Sequence, residues 1–234
     1  MTSKVYRQIP VCDPALVEEA GKYSVADLHE SMDPIPGRMA LFDAAIRPVN
    51  SGLRIAGQAV TAFVFPGDGL LGHKAVQLIK PGQILVVANG GSHPQTMFGE
   101  VVALAAGKAG ARGAIVEGCV RDVQALRAMR FPVWSSGVYC GHTNKSGPGS
   151  VNVPIVCAGV RVEPGDIIVA DDDGVICIPP ALVRPIVERA RLRAAGEARI
   201  RTAIDEGKVL FDVLNLQAAL EASGVEEIDG TWQG

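Results

Sequence analysis

The sequence contains few aromatic residues and no excess of positive charge. Phe, Trp and Tyr together make up 5% of the 234 residues, so the interior has to be built mainly from Ala, Val, Ile and Leu. That composition is typical of an α/β protein with Val-rich buried strands. The formal net charge is −3, and no basic stripe runs along the chain. We therefore do not expect a nucleic-acid partner.

Cysteine pairs and long apolar runs are also missing. The five cysteines are odd in number and none forms a Cys-x-x-Cys motif, which favours reduced thiols over a disulfide framework. The first residues contain no apolar segment like that of a signal peptide. No apolar run reaches the roughly 18 residues that a membrane-spanning helix needs. We therefore expect a cytoplasmic protein with no membrane partner.

The most informative stretch covers residues 99–122 and reads GEVVALAAGKAGARGAIVEGCVRD. Its first half predicts a helix over residues 100–111, with Val101, Leu104 and Ala105 on one apolar face. The glycines near the end of this segment are typical of a helix that is about to stop. The stretch therefore predicts a helix followed by a return of the chain.

Short apolar segments predict strands on either side of that helix. Residues 84–88 form one β-branched run, and residues 114–116 form another that we expect Gly118 to close. Residues 121–129 then predict a second helix. The resulting βαβα order is typical of a parallel sheet with right-handed crossovers.

Charged residues follow the predicted strands at the points where ligands bind in such sheets. Ligands of open α/β sheets lie beyond the carboxyl ends of the strands. Glu100, Arg121 and Asp122 follow two such ends, so we expect them to converge at one rim, beside backbone N–H groups that favour anions. Two carboxylates and a guanidinium suit a divalent metal and a small carboxylate ligand. Taken alone, Arg121 and Asp122 would also fit an ordinary ion pair at a helix start.

Polar loops elsewhere offer further candidates. The glycine-rich loop over residues 89–94 could line the site, although an exposed turn explains His93 equally well. A long loop over residues 137–149 carries His142 and Lys145; Lys145 could neutralise a substrate carboxylate, but a solvated lysine is the simpler interpretation. The acidic run at residues 171–173 predicts a hairpin connection, since the spacing of a calcium loop is absent.

The remaining segments complete the expected α/β pattern. Ser24 is the expected N-cap of a second short helix after a break at Gly21. A long charged helix is expected over residues 181–205, where it could pack on another subunit, and one more helix over residues 209–221. Further predicted segments are a helix over residues 71–79 and strands over residues 46–49, 57–65, 132–135, 152–157, 167–170 and 175–178.

The pattern GE-x20-RD, followed by SVNVPIVCAGV and GDIIVADDDGV, resembles the RraA-like family. Within that family it resembles the class II pyruvate aldolases, which cleave 4-hydroxy-4-methyl-2-oxoglutarate and 4-carboxy-4-hydroxy-2-oxoadipate. The resemblance covers residues 25–205. It implies a layered β/β/α swivelling-domain fold of the α/β class, as a single domain over residues 1–234. The core would span residues 25–180 and C-terminal helices residues 181–222, assembled as homotrimers or homohexamers with sites between subunits.

The resemblance also implies substrate-binding roles. Arg121 would bind the 2-oxo oxygen and stabilise the developing enolate, and Lys145 would contact the distal carboxylate. Several aldolases have an asparagine where this chain has Gly69, so an amide that would serve the distal half of the substrate is missing. The pyruvate carboxylate would be held by the backbone amides of Gly99, Glu100, Val101 and Val102.

The metal site is likewise implied by the resemblance. Asp122 would bind Mg²⁺ or Mn²⁺ directly. Glu100 takes the place of an acidic residue that holds metal-bound water, and Glu197 from a neighbouring subunit would do the same. In this hypothesis the water removes the C4 hydroxyl proton of a 4-hydroxy-2-oxo dicarboxylic acid, which breaks down to pyruvate and a second oxo acid.

Two functions remain open at this point. The same enolate chemistry would permit oxaloacetate decarboxylation as a side activity of an aldolase. Other RraA-like proteins are non-catalytic regulators that bind ribonuclease E, and a shared fold cannot separate the two. The acidic residues and Lys145 favour the enzyme.

Overall fold

The computed structural model describes residues 3–32, 40–91 and 95–233. The chain divides into two compact units, Met1–Ala190 and Arg191–Gly234. His93 lies outside the described residues, so its predicted place in a loop stays a prediction. None of the helices in the described ranges combines the length and hydrophobicity that a bilayer-crossing helix requires.

The helices and strands alternate along most of the first unit. Its helices are α1 (Pro14–Ala20), α2 (Val25–Glu30), α3 (Leu70–Leu78), α4 (Glu100–Lys108) and α5 (Val123–Met129). Its strands are β1 (Arg47–Pro48), β2 (Ile55–Val64), β3 (Ile84–Ala88), β4 (Thr96–Phe98), β5 (Gly113–Val120), β6 (Val133–Val138), β7 (Gly149–Val151), β8 (Ile155–Cys157), β9 (Val160–Val162), β10 (Ile167–Ala170) and β11 (Val175–Ile178). The long helix α6 (Pro180–Asp205) begins in the first unit and ends in the second, which also contains α7 (Leu210–Val213) and α8 (Gln217–Ala222).

The main sheet has the strand order β1-β6-β5-β3-β2-β10-β11. The four central strands, β6, β5, β3 and β2, are parallel to one another. β10 is antiparallel to β2 and forms a hairpin with β11, while β8 and β9 form a separate two-stranded sheet. The predicted parallel βαβα arrangement is confirmed, and with it the α/β class.

Side chains on the two faces of the parallel strands pack into different layers. Leu85 and Val87 of β3 contact the cluster that includes Ala75 of α3 and Ala103 of α4. Ile84 of the same strand faces the opposite way, toward the β8–β9 and β10–β11 hairpins. A third cluster joins α1, α2 and the first turns of α6 to the outer face of β10 and β11. The period of two along each strand thus produces the layered β/β/α fold.

Helix α4 buries a different face from the predicted one. Its buried residues are Ala103 and Ala106, whereas Val101 is 76% exposed and Leu104 is 52% exposed. The predicted face of Val101, Leu104 and Ala105 is therefore exposed, and the alanine face packs on the sheet. The helix is apolar on both sides, so periodicity alone could not choose between them, and the small alanines allow closer packing on the sheet.

Strand β5 continues past the predicted stop. Gly118 has φ +130° and lies at a register shift between Val116 and Cys119, after which pairing resumes as far as Val120. A glycine in a strand is typical of such a bulge. The prediction that Gly118 closes the strand is wrong, and the extension carries the chain to the edge where residue 121 follows.

The other predicted segments agree with the structure to different extents. β3, β10 and β11 were predicted with their observed bounds, and the Ser24 hydroxyl accepts a hydrogen bond from the Asp27 N–H as an N-cap. Strands β4, β7 and β9 were not predicted, because each has only three residues. The predicted helix over residues 209–221 is divided into α7 and α8 around Asn215, whose φ is +53°. That the chain is one domain stays a prediction.

The acidic run after β10 is a hairpin connection, as predicted. The Asp171 carboxylate accepts hydrogen bonds from the Val25 N–H at 2.9 Å and the Asp173 N–H at 3.0 Å. The Asp172 carboxylate accepts from the Gly52 N–H at 2.9 Å. These side chains satisfy backbone donors and hold neighbouring segments together.

The two tryptophans provide a matched test of this core. Trp134 is fully buried and its Nε1–H donates to the Asp171 carbonyl at 2.7 Å, whereas Trp232 is 92% exposed. We expect Trp134→Phe to lower the free energy of unfolding by about 2 kcal/mol, because it leaves a buried carbonyl without its donor and creates a cavity.

Urea unfolding monitored by circular dichroism checks this prediction. Trp232→Phe is the control and should change the free energy of unfolding by no more than about 0.5 kcal/mol. Equal effects of the two substitutions would contradict the assignment of Trp134 to the core.

Candidate functional site

A cavity of about 220 Å³ lies where the parallel strands end. Its walls come from the start of α4, from the junction of β5 with α5, from α3 and from the loop that follows β6. Each of these segments follows the carboxyl end of a strand, which is the edge where the sequence predicted a ligand site. All the lining residues belong to the first unit.

The first turn of α4 provides backbone donors to this cavity. Gly99 is the N-cap residue and supplies no side-chain cap, and the first intrahelical bond at this end runs from the Ala103 N–H to the Gly99 carbonyl. The N–H groups of the preceding residues have no partner within the helix. Val101 and Val102 both line the cavity. This end of the helix therefore has the donors that an anion would need, and binding of a carboxylate there stays a prediction.

Gly99 is required by the closeness of the β5–α5 junction. A Cβ at this position would lie 2.6 Å from Asp122 Oδ2 and 3.1 Å from Arg121 Cγ. Its φ of −161° is ordinary extended backbone, so the restriction is one of space and not of conformation. A side chain here would require the Asp122 carboxylate and the Arg121 side chain to shift from these positions.

Arg121 and Asp122 face the cavity together. Arg121 Nε lies 3.6 Å from Asp122 Oδ2, and the side chains are 42% and 41% exposed. Asp122 has φ +60° and ψ +35°, a left-handed conformation that aspartate tolerates and that is found at functional sites more often than elsewhere.

The carboxylate of Asp122 does not cap its own helix. Asp122 is the N-cap residue of α5 but makes no side-chain bond to that helix. Its Oδ2 instead accepts a hydrogen bond from the Glu100 N–H at 3.2 Å. An ordinary ion pair at the start of α5 would not explain why the Asp122 carboxylate points toward α4. The hydrogen bond connects the β5–α5 junction to the first turn of α4.

The structure brings together only part of the predicted acidic group. The backbone N–H of Glu100 contacts Asp122, but the exposed Glu100 is not among the cavity-lining residues. Glu197 belongs to the second unit, where its carboxylate pairs with Arg193 and Arg201, each at 3.1 Å. The roles of both carboxylates stay predictions.

A buried aspartate fastens the loop that carries His142, Thr143 and Lys145, all of which line the cavity. Asp68 is 3% exposed, and its carboxylate accepts hydrogen bonds from three backbone N–H groups. The donors and distances are Leu70 at 2.8 Å, Ser146 at 2.7 Å and Gly147 at 2.7 Å. The loop is therefore anchored beside the cavity, and Lys145 is an exposed residue at its edge whose role stays a prediction.

The same hydrogen bonds set the acidity of Asp68. Desolvation by burial raises the pKa of this carboxyl, but the three N–H donors and the attraction to His73 together outweigh it. The net effect is a pKa below the usual value of 3.8. Asp68 is therefore an anion at neutral pH.

His73 is the cavity residue that sequence reasoning missed. It lies on α3, and its Nδ1 is 2.6 Å from the carbonyl oxygen of Gly69, four residues earlier. Its spacing could have indicated this position: His73 follows Gly69 of the Gly-Asp-Gly turn by four residues, and residues four apart share a helix face. Thr96 of β4 also lines the cavity and belongs to a strand that was not predicted.

The cavity offers few side-chain ligands for a divalent metal ion. Among the residues that the structure describes, no group of three or more His, Cys, Asp or Glu side chains could hold a metal ion. Mg²⁺, however, is commonly bound through one or two carboxylates, with water and substrate oxygens completing its coordination. A single half-exposed carboxylate at Asp122, at the edge of an open cavity, fits an ion of that kind.

Comparison with known families gave one match. The family described as "RraA-like: Aldolase/RraA" matches residues 25–177. A relative from Halalkalibacterium halodurans, named "Putative 4-hydroxy-4-methyl-2-oxoglutarate aldolase", is 33% identical over 178 residues, which cover 76% of this chain and 82% of the relative.

Solved structures gave the same grouping. A crystal structure of an uncharacterized protein from Pseudomonas syringae pv. tomato has a TM-score of 0.76 at 26% identity and covers 87% of this chain and 98% of that one. Streptomyces coelicolor RraAS2, described as an unusual member of the RNase ES inhibitor RraA protein family, has a TM-score of 0.75 at 26% identity. The alignment covers 83% of this chain and 99% of RraAS2.

Asp68→Asn tests the anchoring of the cavity loop. We expect it to lower the free energy of unfolding at pH 7 by about 1–3 kcal/mol, because an amide NH₂ then faces backbone N–H groups. The folded pKa of Asp68 is lowered, so its stabilising effect is complete above the unfolded value of 3.8 and is lost as the pH falls below it.

Urea unfolding at pH 7, 5 and 3.5 checks both parts. The difference between wild type and Asp68→Asn should stay constant from pH 7 to 5 and shrink at the lowest pH. Asp173→Asn, at an exposed position, is the control and should have little effect at any pH. A difference that grows as the pH falls would contradict the lowered pKa.

Proposed function

Because the chain belongs to the RraA-like family, we propose that it is a divalent-metal-dependent pyruvate aldolase. Its substrate would be a 4-hydroxy-2-oxo dicarboxylic acid, cleaved to pyruvate and a second oxo acid. The observation that carries this proposal is the contact of the Asp122 carboxylate with the start of α4, beside the Arg121 guanidinium, at the edge of one cavity. The aldolase names of relatives at about one-third identity support it.

The 2-oxo acid end of the substrate fits the wall formed by α4 and the β5–α5 junction. The substrate carboxylate would accept hydrogen bonds from the N–H groups of Val101 and Val102, which line the cavity, since the Glu100 N–H already donates to Asp122. Arg121 would donate to the 2-oxo oxygen, since a guanidinium provides several strong donors in a fixed plane. Both interactions hold the reacting carbons in place before cleavage.

Cleavage needs a group that stabilises negative charge. As the C3–C4 bond breaks, its electron pair passes into the pyruvate part and forms an enolate. Arg121 would stabilise that charge from a position that needs little rearrangement. Mg²⁺ or Mn²⁺, held by Asp122, would supply Lewis-acid polarisation of the 2-oxo group.

The opposite wall fits the second carboxylate. Lys145 would bind it as a compact positive charge on the loop that Asp68 anchors. Loss of CO₂ from oxaloacetate produces the same pyruvate enolate as retro-aldol cleavage. We therefore propose oxaloacetate decarboxylation as a side activity.

We propose that the protein self-associates in the cytoplasm as a homotrimer or homohexamer, and exposed apolar residues beside the cavity support an interface there. Val101 is 76% exposed and Leu104 is 52% exposed, although both are large apolar residues on α4. Large apolar side chains that lie together on a surface are typical of protein interfaces. Such an assembly would also be the route by which Glu197 of a neighbouring subunit reaches the site.

The alternative is a non-catalytic regulator that binds ribonuclease E. The similarity to RraAS2 over 83% of this chain, at 26% identity, is the observation that supports it. A regulator of this kind needs no chemistry at Asp122, so metal-dependent turnover separates the two functions.

Metal removal is the direct test. We expect purified protein to release pyruvate from oxaloacetate and from 4-hydroxy-4-methyl-2-oxoglutarate with Mg²⁺ or Mn²⁺, to lose the activity in EDTA and to regain it on readdition. Pyruvate is measured with a coupled dehydrogenase, against the same metal without protein. Metal-independent release, or none above that control, would remove the proposed function and favour the regulator.

Arg121→Ala tests the enolate contact. We expect kcat to fall about 100-fold and KM to rise by a smaller factor, since the guanidinium binds the developing enolate more strongly than the 2-oxo group of the bound substrate. Arg161→Ala is the control, because Arg161 lies on β9, pairs with Glu163 and is not a lining residue. A change confined to the KM of Arg121→Ala would contradict the assigned role.

A further inference from the structure

The His73 ring lines the cavity with one nitrogen already engaged. Its Nδ1 is 2.6 Å from the Gly69 carbonyl oxygen. A carbonyl oxygen can only accept, so the proton of this hydrogen bond is on Nδ1. In the neutral ring Nε2 then carries the lone pair, and among the described residues Nε2 has no hydrogen-bond partner. An imidazole held in this way presents an acceptor to a ligand.

The position of the ring explains why residue 69 has no side chain. A Cβ on Gly69 would lie 3.0 Å from His73 Cε1 and 3.1 Å from Thr143 Cγ2. Both contacts are tighter than side chains usually make, so a larger residue would displace the ring. A side chain at residue 69 would therefore need the His73 ring and the Thr143 methyl group to shift.

A buried charge stands next to this ring. The Asp68 carboxylate is kept anionic by three backbone N–H groups, and its attraction to His73 is one of the effects that lower the pKa of Asp68. The two groups therefore lie close enough to interact electrostatically.

We propose, on the basis of the function proposed above, that His73 is the catalytic base for the C4 hydroxyl of the substrate. The O–H bond breaks and its proton passes to His73 Nε2. The oxygen forms the carbonyl of the second oxo acid, and the C3–C4 electron pair forms the pyruvate enolate beside Arg121. Protonation of the enolate at C3 and return of the ring to its neutral form complete the cycle without net gain or loss of protons.

This assignment changes the residue that receives the proton. The resemblance implied water oriented by Glu100 and Glu197, but Glu100 does not line the cavity, whereas His73 does.

The assignment of His73 as the base also separates the two reactions. Retro-aldol cleavage requires removal of a hydroxyl proton at C4, whereas oxaloacetate carries a carboxylate there and needs no base. Loss of Nε2 should therefore impair cleavage and spare decarboxylation.

Two substitutions at His73 isolate the nitrogen. His73→Asn keeps an amide donor near the position of Nδ1, so it can still bond to the Gly69 carbonyl, but it has no counterpart to Nε2. His73→Gln places an amide near Nε2, which cannot act as a base. General bases commonly contribute about 100-fold or more. We expect both variants to lose about 100-fold in kcat for the 4-hydroxy acid and to keep oxaloacetate decarboxylation within about threefold of wild type.

Each outcome decides the inference. Parallel loss of both reactions in His73→Asn and His73→Gln would show that the ring positions the site or binds the distal carboxylate and is not the base. Unchanged cleavage would also overturn it. A wild-type protein without either activity would remove the proposed function, which is a different failure. As a second readout, ¹⁵N NMR of the imidazole should show the proton on Nδ1 in the ligand-free protein, and a proton on Nε2 alone would contradict the assignment.

Discussion

The site depends on one close approach, that of the start of α4 to the junction of β5 and α5. The Glu100 N–H bonds to Asp122 Oδ2 at 3.2 Å across Gly99, where a Cβ would lie 2.6 Å from that oxygen. The left-handed conformation of Asp122 turns its carboxylate toward α4 and away from its own helix. Helix donors, carboxylate and guanidinium therefore share one cavity edge, where each strengthens the preference for an anionic ligand.

Another wall of the cavity is formed by the loop that carries Lys145, which a buried carboxylate holds in place. Asp68 replaces the water that would otherwise satisfy three backbone N–H groups, and it thereby holds the loop with Lys145 against the start of α3. Because burial would favour the neutral acid, the lowered pKa shows that these bonds more than compensate for desolvation. One buried carboxylate thus orders the loop and places negative charge beside the His73 ring.

The fold alone does not decide between catalyst and regulator. A relative named a putative aldolase and a structure named as a member of the RraA family each match this chain over three-quarters of its length or more. What distinguishes a catalyst is the chemistry of the cavity, where one carboxylate faces a guanidinium, a lysine and imidazoles. These cationic and hydrogen-bonding groups suit a substrate with two carboxylates, and the single acidic side chain suits a cation that also binds substrate oxygens. The difference between the two functions therefore lies in these residues and not in the fold.

Local pattern determined the α/β class, the βαβα order and the bounds of β3, because buried strands and helix caps are encoded by neighbouring residues. It also singled out Arg121, Asp122 and the start of α4, since strand ends meet at one edge. Only the tertiary structure decided which face of α4 is buried, that β5 passes Gly118, and that His73 lies in the cavity while Glu100 does not. These outcomes depend on the space between elements distant in the chain, on which spacing along the sequence carries no information.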